Sequence, residues 1–235
     1  MELSDKSIVK NLSVSGIIFT LVIFLWPVFM AISSLNGSIE MQLEQIRNNP
    51  VPFRLNFVLA SLIGPSLSYL MITVGLFLNS RKKTPILNST GIFFLLPYVV
   101  FVSIAYTSQF TLVTNSLFSE KPADAIRWYF GNFHSIAYFF NQLGYTFFAI
   151  SGFCIGYRFL FDKGPMKIFG WLLYVSSFLS ITAFIGLVLN SKELNSLTVL
   201  SGMCILPLGI IAIIVSRRLK NLNKRKQNGR KEYAL

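Results

Sequence analysis

Six long stretches of this 235-residue chain contain no Asp, Glu, Lys or Arg: residues 11–39, 55–80, 84–119, 128–157, 168–191 and 194–216. Each exceeds the roughly 18–20 residues that cross a hydrocarbon core of about 30 Å. A soluble helix of that length keeps one face in water and carries charge on it. Six uncharged stretches in succession therefore predict helices that face lipid. Composition agrees, since only 13% of the residues are charged, about half the share of a soluble domain. The expected fold is an all-α, polytopic membrane helix bundle of six transmembrane helices, at about 14–35, 57–79, 88–113, 133–157, 168–190 and 196–216. These form one domain over residues 1–216, and 217–235 is a basic tail.

Orientation follows from where the cations lie, because short cytoplasmic loops hold the excess of Lys and Arg. The loop with Arg81, Lys82 and Lys83 carries +3, and the loop with Arg158, Asp162, Lys163 and Lys167 carries +2. The tail from Arg217 carries +7, so these three segments hold the whole net charge of +12. Every other segment balances to zero. All the excess falls on one side of a six-helix bundle, which predicts both ends in the cytoplasm and a multi-pass protein of the bacterial inner membrane. Lys6 and Lys10 ahead of an apolar run, with Ala31, Ser33 and Ser34 after it, also suit a cleaved signal peptide. The run from Val14 to Ile32 is longer than the 7–15 residues of such a core, so the first helix is expected to stay.

The outward loops are amphipathic. Ile39, Leu43 and Ile46 recur at helical spacing before Pro50, and Pro122 opens a second short segment that leads into Trp128, Tyr129 and Phe130. Both predict short interfacial helices that cap the bundle. The eight cations of the tail predict contact with anionic lipid headgroups, at about 1 kcal/mol each close to the surface. Past Asn223 the tail has few apolar residues and is expected to be disordered. It lacks the interleaved aromatics of a single-strand nucleic-acid binder, so no nucleic acid is expected as a partner. Protein partners, if any, would meet the bundle within the membrane.

No Asp, Glu, Lys or Arg lies inside any predicted span, which argues against a proton pump or ion-coupled carrier. Cys154 and Cys204 are isolated and His134 is the sole histidine, so neither a metal site nor a disulfide framework is expected, and no cofactor. What remains is an uncharged polar stripe. His134, Tyr138, Asn141 and Tyr145 recur at i, i+4, i+7 and i+11 on the fourth span, with Gln142 beside them. The third span ends in Tyr106, Thr107, Ser108 and Gln109. Tyr106, Gln109, His134, Tyr138, Asn141, Gln142 and Tyr145 are the candidate ligand-binding residues, facing one another in a polar pocket between the third and fourth helices. The competing reading is interhelical hydrogen-bond glue. Pro27, Pro65, Pro97 and Pro207 lie inside spans, and Gly64-Pro65 marks the segment expected to bend most. The function that fits is binding or transport of a neutral or amphipathic small molecule or lipid, without catalysis. The alternatives are a lipid-modifying enzyme with His134 as general base, or a structural subunit of a membrane complex.

Overall fold

The computed structural model describes residues 2–80, 85–119 and 122–232. The Arg81-Lys82-Lys83 loop lies outside them. Among the described residues there is no strand, and the helices assemble into one bundle. Five of its segments are long and apolar enough to cross a membrane: Ser7–Ile32, Pro50–Asn79, Ile86–Leu117, Pro165–Val188 and Lys192–Asn221. The expected fourth span is a helix of 24 residues, Ile136–Phe159. It is as long as its successor but less apolar, because it carries Asn141, Gln142, three glycines and three tyrosines. These polar residues are affordable there because the helix lies at the centre of the bundle, packed between its neighbours on both sides.

The helices run α1 (Glu2–Ile32), α2 (Ile39–Asn48), α3 (Pro50–Ser61), α4 (Ile63–Ser80) and α5 (Pro85–Ser108). A π-helical turn (Gln109–Val113) and α6 (Thr114–Leu117) extend α5. Then come α7 (Pro122–Trp128), α8 (Ile136–Phe159), α9 (Pro165–Val188), α10 (Lys192–Asn195), α11 (Leu197–Ile205) and α12 (Leu208–Glu232). One end of the bundle carries α2, α6, α7 and α10, and is called here the cap end. The other carries Arg158, Lys163, Lys167, Arg217 and Arg218, and is called the basic end.

Two spans are broken at proline. Pro65 has no N–H to give to the carbonyl of Ser61, and the helix interrupts at Leu62 between α3 and α4. Pro207 likewise separates α11 from α12. Pro27 and Pro97 are accommodated inside continuous helices. The interfacial helix α2 forms as its sequence predicts. Ser38 caps it by accepting a hydrogen bond from the Met41 amide, and Leu43 and Ile46 are buried.

Two ends differ from expectation. The first helix begins at Glu2, and the last runs to Glu232. Lys, Arg, Gln and Glu are good helix formers, so a helix started by an apolar span continues into its charged flank.

The first helix is a packed member of the bundle. Leu12 and Phe19 are fully buried, and α1 packs on α12, α4 and α3. At the α1–α12 crossing a Cβ on Gly16 would stand 2.9 Å from the Gly209 carbonyl, and one on Gly209 2.3 Å from Thr20 Oγ1. Ser216 Oγ donates to the Val9 carbonyl at 2.9 Å. Gly209→Leu overpacks this crossing and is expected to cost about 1–3 kcal/mol in thermal unfolding in detergent. At Gly202 a Cβ would meet nothing within 4 Å. Gly202→Leu is accordingly expected to stay within about 0.5 kcal/mol of wild type in the same assay.

Candidate binding site in the bundle core

The antiparallel pair α5 and α8 sets the geometry. Val102 is fully buried between two glycines: a Cβ on Gly144 would stand 2.7 Å from its Cγ2, and one on Gly64 3.4 Å from its Cγ1. Phe101 stacks on Phe147 at 5.8 Å and packs on Phe140 at 5.4 Å. The seam between α5 and α8 is therefore closed at this level. The sequence-predicted site residues divide into separate groups around it.

Gln109 belongs to the cap. Its side chain is fully buried at the start of the π-helical turn. Its Nε2 donates to the Trp128 carbonyl at 2.7 Å and to the Ala105 carbonyl at 3.1 Å, and its Oε1 accepts from the Phe130 amide at 2.8 Å. One carboxamide thus clamps the chain on both sides of Tyr129. The clamp sets Phe130 among Phe57, Tyr106 and Tyr138, with ring centroids at 5.9, 5.7 and 5.5 Å. Tyr129 Oη donates to Gln42 Oε1 at 2.5 Å, which ties α2 to the same cap. Desolvation raises the Tyr129 phenol from its usual value near 10 to about 12.

Tyr138 and Gln142 form a second group, directed at the last span. Tyr138 Oη donates to Asn195 Oδ1 at 2.9 Å. Gln142 Nε2 reaches Thr198 Oγ1 at 2.7 Å, Tyr138 Oη at 2.9 Å and Asn195 Oδ1 at 3.3 Å. All of this is interhelical bonding in a buried place, where each bond contributes about 0.6 kcal/mol on average. Gln142 Oε1 is buried and has no partner. His134 stands apart in the turn before α8, exposed, and its backbone amide donates to Asn132 Oδ1 at 3.0 Å.

The third group lies deepest. Tyr98, one turn from Val102, meets Tyr145 with ring centroids at 5.6 Å, and both pack on Phe148. Tyr145 also interacts with Tyr106, one turn to the other side of Val102. Asn141 precedes Tyr145 by one turn on the same face of α8. Ser68 shares the α4 face of Gly64 and Gly75, which contact Val102 and Ile92 of α5. That antiparallel register sets Ser68 level with Tyr98. Asn141 Oδ1, Tyr98 Oη and Ser68 Oγ are all buried without a partner. Tyr98 lies near the Tyr145 hydroxyl. Tyr145, although central, keeps part of its surface accessible.

Sequence reasoning singled out Tyr106, Asn141 and Tyr145 but missed Tyr98, Ser68, Asn195 and Thr198. The i, i+4, i+8 spacing of Tyr98, Val102 and Tyr106 could have pointed to Tyr98. Asn195 and Thr198 had no such signal, since their partners lie 57 and 56 residues away in sequence. Among the described residues no group of three His, Cys, Asp or Glu side chains could hold a metal ion.

Gln142→Leu leaves Thr198 Oγ1 without its donor, while Asn195 Oδ1 keeps the Tyr138 hydroxyl, and is expected to cost about 1–2 kcal/mol, measured by thermal unfolding in detergent. Tyr129 gives a pH signature. Its folded value lies above its unfolded one, so the neutral phenol's contribution is fully present below pH 10 and is lost as pH rises through about 12. Protease susceptibility of the cap should rise across that window in the wild type, and Tyr129→Phe should abolish the step.

Residues 15–216 match the family described as "Domain of unknown function (DUF4386)", from inside α1 to the residue before the basic tail. No curated protein and no solved structure gives a significant match. The match spans most of the chain and all of its packed helices, and the protein belongs to the DUF4386 family.

Proposed function

We propose that this membrane bundle binds or carries an uncharged or amphipathic small molecule or lipid in its core, without catalysing its conversion. The observation that carries this reading is the set of buried acceptors at Asn141, Tyr98 and Ser68, none of which has a partner. In hydrocarbon an unsatisfied polar group costs several kcal/mol. Such groups are kept at the centre of a bundle when water or a ligand completes them. The core offers hydroxyls and carboxamides and no charge, so a molecule that fits it is neutral.

The wider setting of this proposal is a six-span protein of the bacterial inner membrane. The basic end lies in the cytoplasm against anionic headgroups, and the cap end lies outside. A lipid-modifying enzyme would need His134 beside an activated nucleophile, and its exposed position favours no such pairing.

The test is thiol reactivity in the full-length protein after replacement of Cys154 and Cys204. A thiol reacts as thiolate, so a dry, packed position is inert to a small neutral reagent such as methyl methanethiolsulfonate. Asn141→Cys is expected to react within about tenfold of Asn132→Cys in the cap-end turn. Ala149→Cys, at a fully buried packed position, is the inert control. Reaction at 141 as slow as at 149 would overturn the proposal and leave the stripe as structural glue.

A further inference from the structure

The cap differs from the core in carrying charge of both signs around one cleft. Helix α2 packs on α6, and α6 packs on α7. Where the three meet lies a cleft of about 390 Å³, lined by Glu40, Leu43, Glu44, Arg47, Leu117 and Ile126. That volume falls within the roughly 300–1,000 Å³ of small-molecule sites. Glu40, Glu44 and Arg47 recur at i, i+4 and i+7, along one stripe of α2. The helical rise separates the first two by about 6 Å and the last two by about 4.5 Å along the axis. Leu43 and Leu117 are buried, while Ile126 of α7 is 38% exposed.

The span boundaries set the depth of the cleft. Asn48, also in its lining, precedes the span that opens at Pro50, and Leu117 is the last residue of the span Ile86–Leu117. The cleft therefore sits at the cap-side ends of two spans, in the layer of lipid headgroups. Met41 and Phe118, next in sequence to lining residues, are both more than half exposed. The charges of the cleft are not used up within the protein. Asp124 and Arg127 of α7 pair at 3.7 Å across an i, i+3 step. Glu44 and Arg47 have the same spacing, yet among the described residues neither they nor Glu40 form an ion pair. The walls are fixed without them. Tyr129 Oη donates to Gln42 Oε1, Gln45 Nε2 to the Asn36 carbonyl at 2.9 Å, and Asn132 Nδ2 to the Ile126 carbonyl at 3.3 Å.

We infer that this cleft binds the zwitterionic, phosphoethanolamine-type headgroup of a phospholipid in the cap-side leaflet. Its primary ammonium lies at Glu40 and Glu44, its phosphate at Arg47, and the start of its chains over Leu117 and Ile126. This is a second site, and it does not depend on the core-binding reading. Charge complementarity selects the class. An ammonium donates three hydrogen bonds, and two carboxylates one turn apart accept them with the strength of charged partners. The guanidinium fork of Arg47 matches a phosphate. A quaternary ammonium head has no N–H to donate. A head with a phosphate and no ammonium brings another anion beside two carboxylates. An amphipathic amine without a phosphate leaves Arg47 without a partner. The zwitterionic head with a primary ammonium uses all three side chains, and the depth of the cleft places it where such heads lie.

The experiment uses the full-length protein in phosphatidylcholine vesicles with a trace of phosphatidylethanolamine that carries a diazirine at the head of one acyl chain. Adducts are mapped by mass spectrometry. Labelling of the segment from Leu117 to Ile126 is expected in the wild type. It should be suppressed by unlabelled phosphatidylethanolamine and not by phosphatidylglycerol. It should fall about fivefold or more in the double variant Glu40→Gln, Glu44→Gln and in Arg47→Gln. Asp124→Asn, a cap acid outside the cleft lining, should leave it unchanged. Glu40, Glu44 and Arg47 are exposed, so these variants are expected to stay within about 0.5 kcal/mol of wild type, checked by thermal unfolding. Equal labelling by the phosphatidylcholine analogue of the probe overturns recognition of the ammonium. Loss in the double glutamate variant with none in Arg47→Gln, together with competition by dodecylamine, overturns the phospholipid in favour of an amphipathic cation. Suppression by soluble phosphoethanolamine overturns it in favour of a head-sized soluble ligand. Cap labelling that is the same in every variant reports bulk lipid contact only and overturns the site.

Discussion

Val102 is the contact on which the arrangement of this bundle depends. A β-branched side chain with glycine on both sides lets α5 approach α4 and α8 together, as small residues do in membrane helix packing. Because α5 is fixed on both flanks, the residues one turn away from Val102 are fixed too. Tyr98 is held at the level of Ser68 and Tyr145, and Tyr106 among Phe57, Phe130 and Tyr145. A bulkier residue at 144 would drive α8 off α5 and separate both tyrosines from their partners. The core site and the cap are thus two consequences of one close approach.

In lipid the hydrophobic effect gives helices little reason to prefer one another to acyl chains. Specific polar bonds then decide which helix leans on which. Three such devices act here, each at a different depth. Gln109 joins the end of α5 to the cap, Gln142 joins α8 to the start of the last span, and the Ser176–Ser180–Ser201 cluster joins α9 to α11. The first is satisfied at both its oxygen and its nitrogen, as structural glue should be. The second leaves its own oxygen unmatched, as do Asn141, Tyr98 and Ser68, and those three have no side-chain bond to a neighbouring helix that offsets it.

The same contrast explains what could be read from the sequence. The helical bundle was legible because charge is excluded from hydrocarbon, and the gaps between charges mark the spans with few alternatives. Helix ends were not legible, since a helix begun in lipid propagates through Lys- and Arg-rich flanks without a penalty, as α12 does. Interfacial helix α2 was legible from Ile39, Leu43 and Ile46 with Pro50 as its stop. The polar stripe of α8 was legible as a stripe, but its division was not. Asn141 and Gln142 are adjacent in sequence and so point about 100° apart, one toward the core and the other toward the last span. Which neighbour occupies each direction is set by packing that links residues more than 50 apart.

Proline position shows how much of a kink is permission and how much is use. All four intramembrane prolines remove a backbone hydrogen bond, yet Pro27 and Pro97 sit in unbroken helices, whereas Pro65 and Pro207 coincide with interruptions. The difference lies in what holds the two sides. At Pro65, α3 packs on α1, α5 and the π-helical turn, while α4 packs on α1 and α5. At Pro207, α12 follows α1 through two glycines while α11 follows α9 through three serines. A helix pulled toward two different partners breaks at the peptide where the missing hydrogen bond makes bending cheapest. Pro97 lies on a helix gripped by one continuous partner, α8, on either side of it, and nothing pulls its halves apart. The change of partner between α12 and α11 therefore follows from where polar and small residues are placed on α9 and α1, with proline only locating the bend.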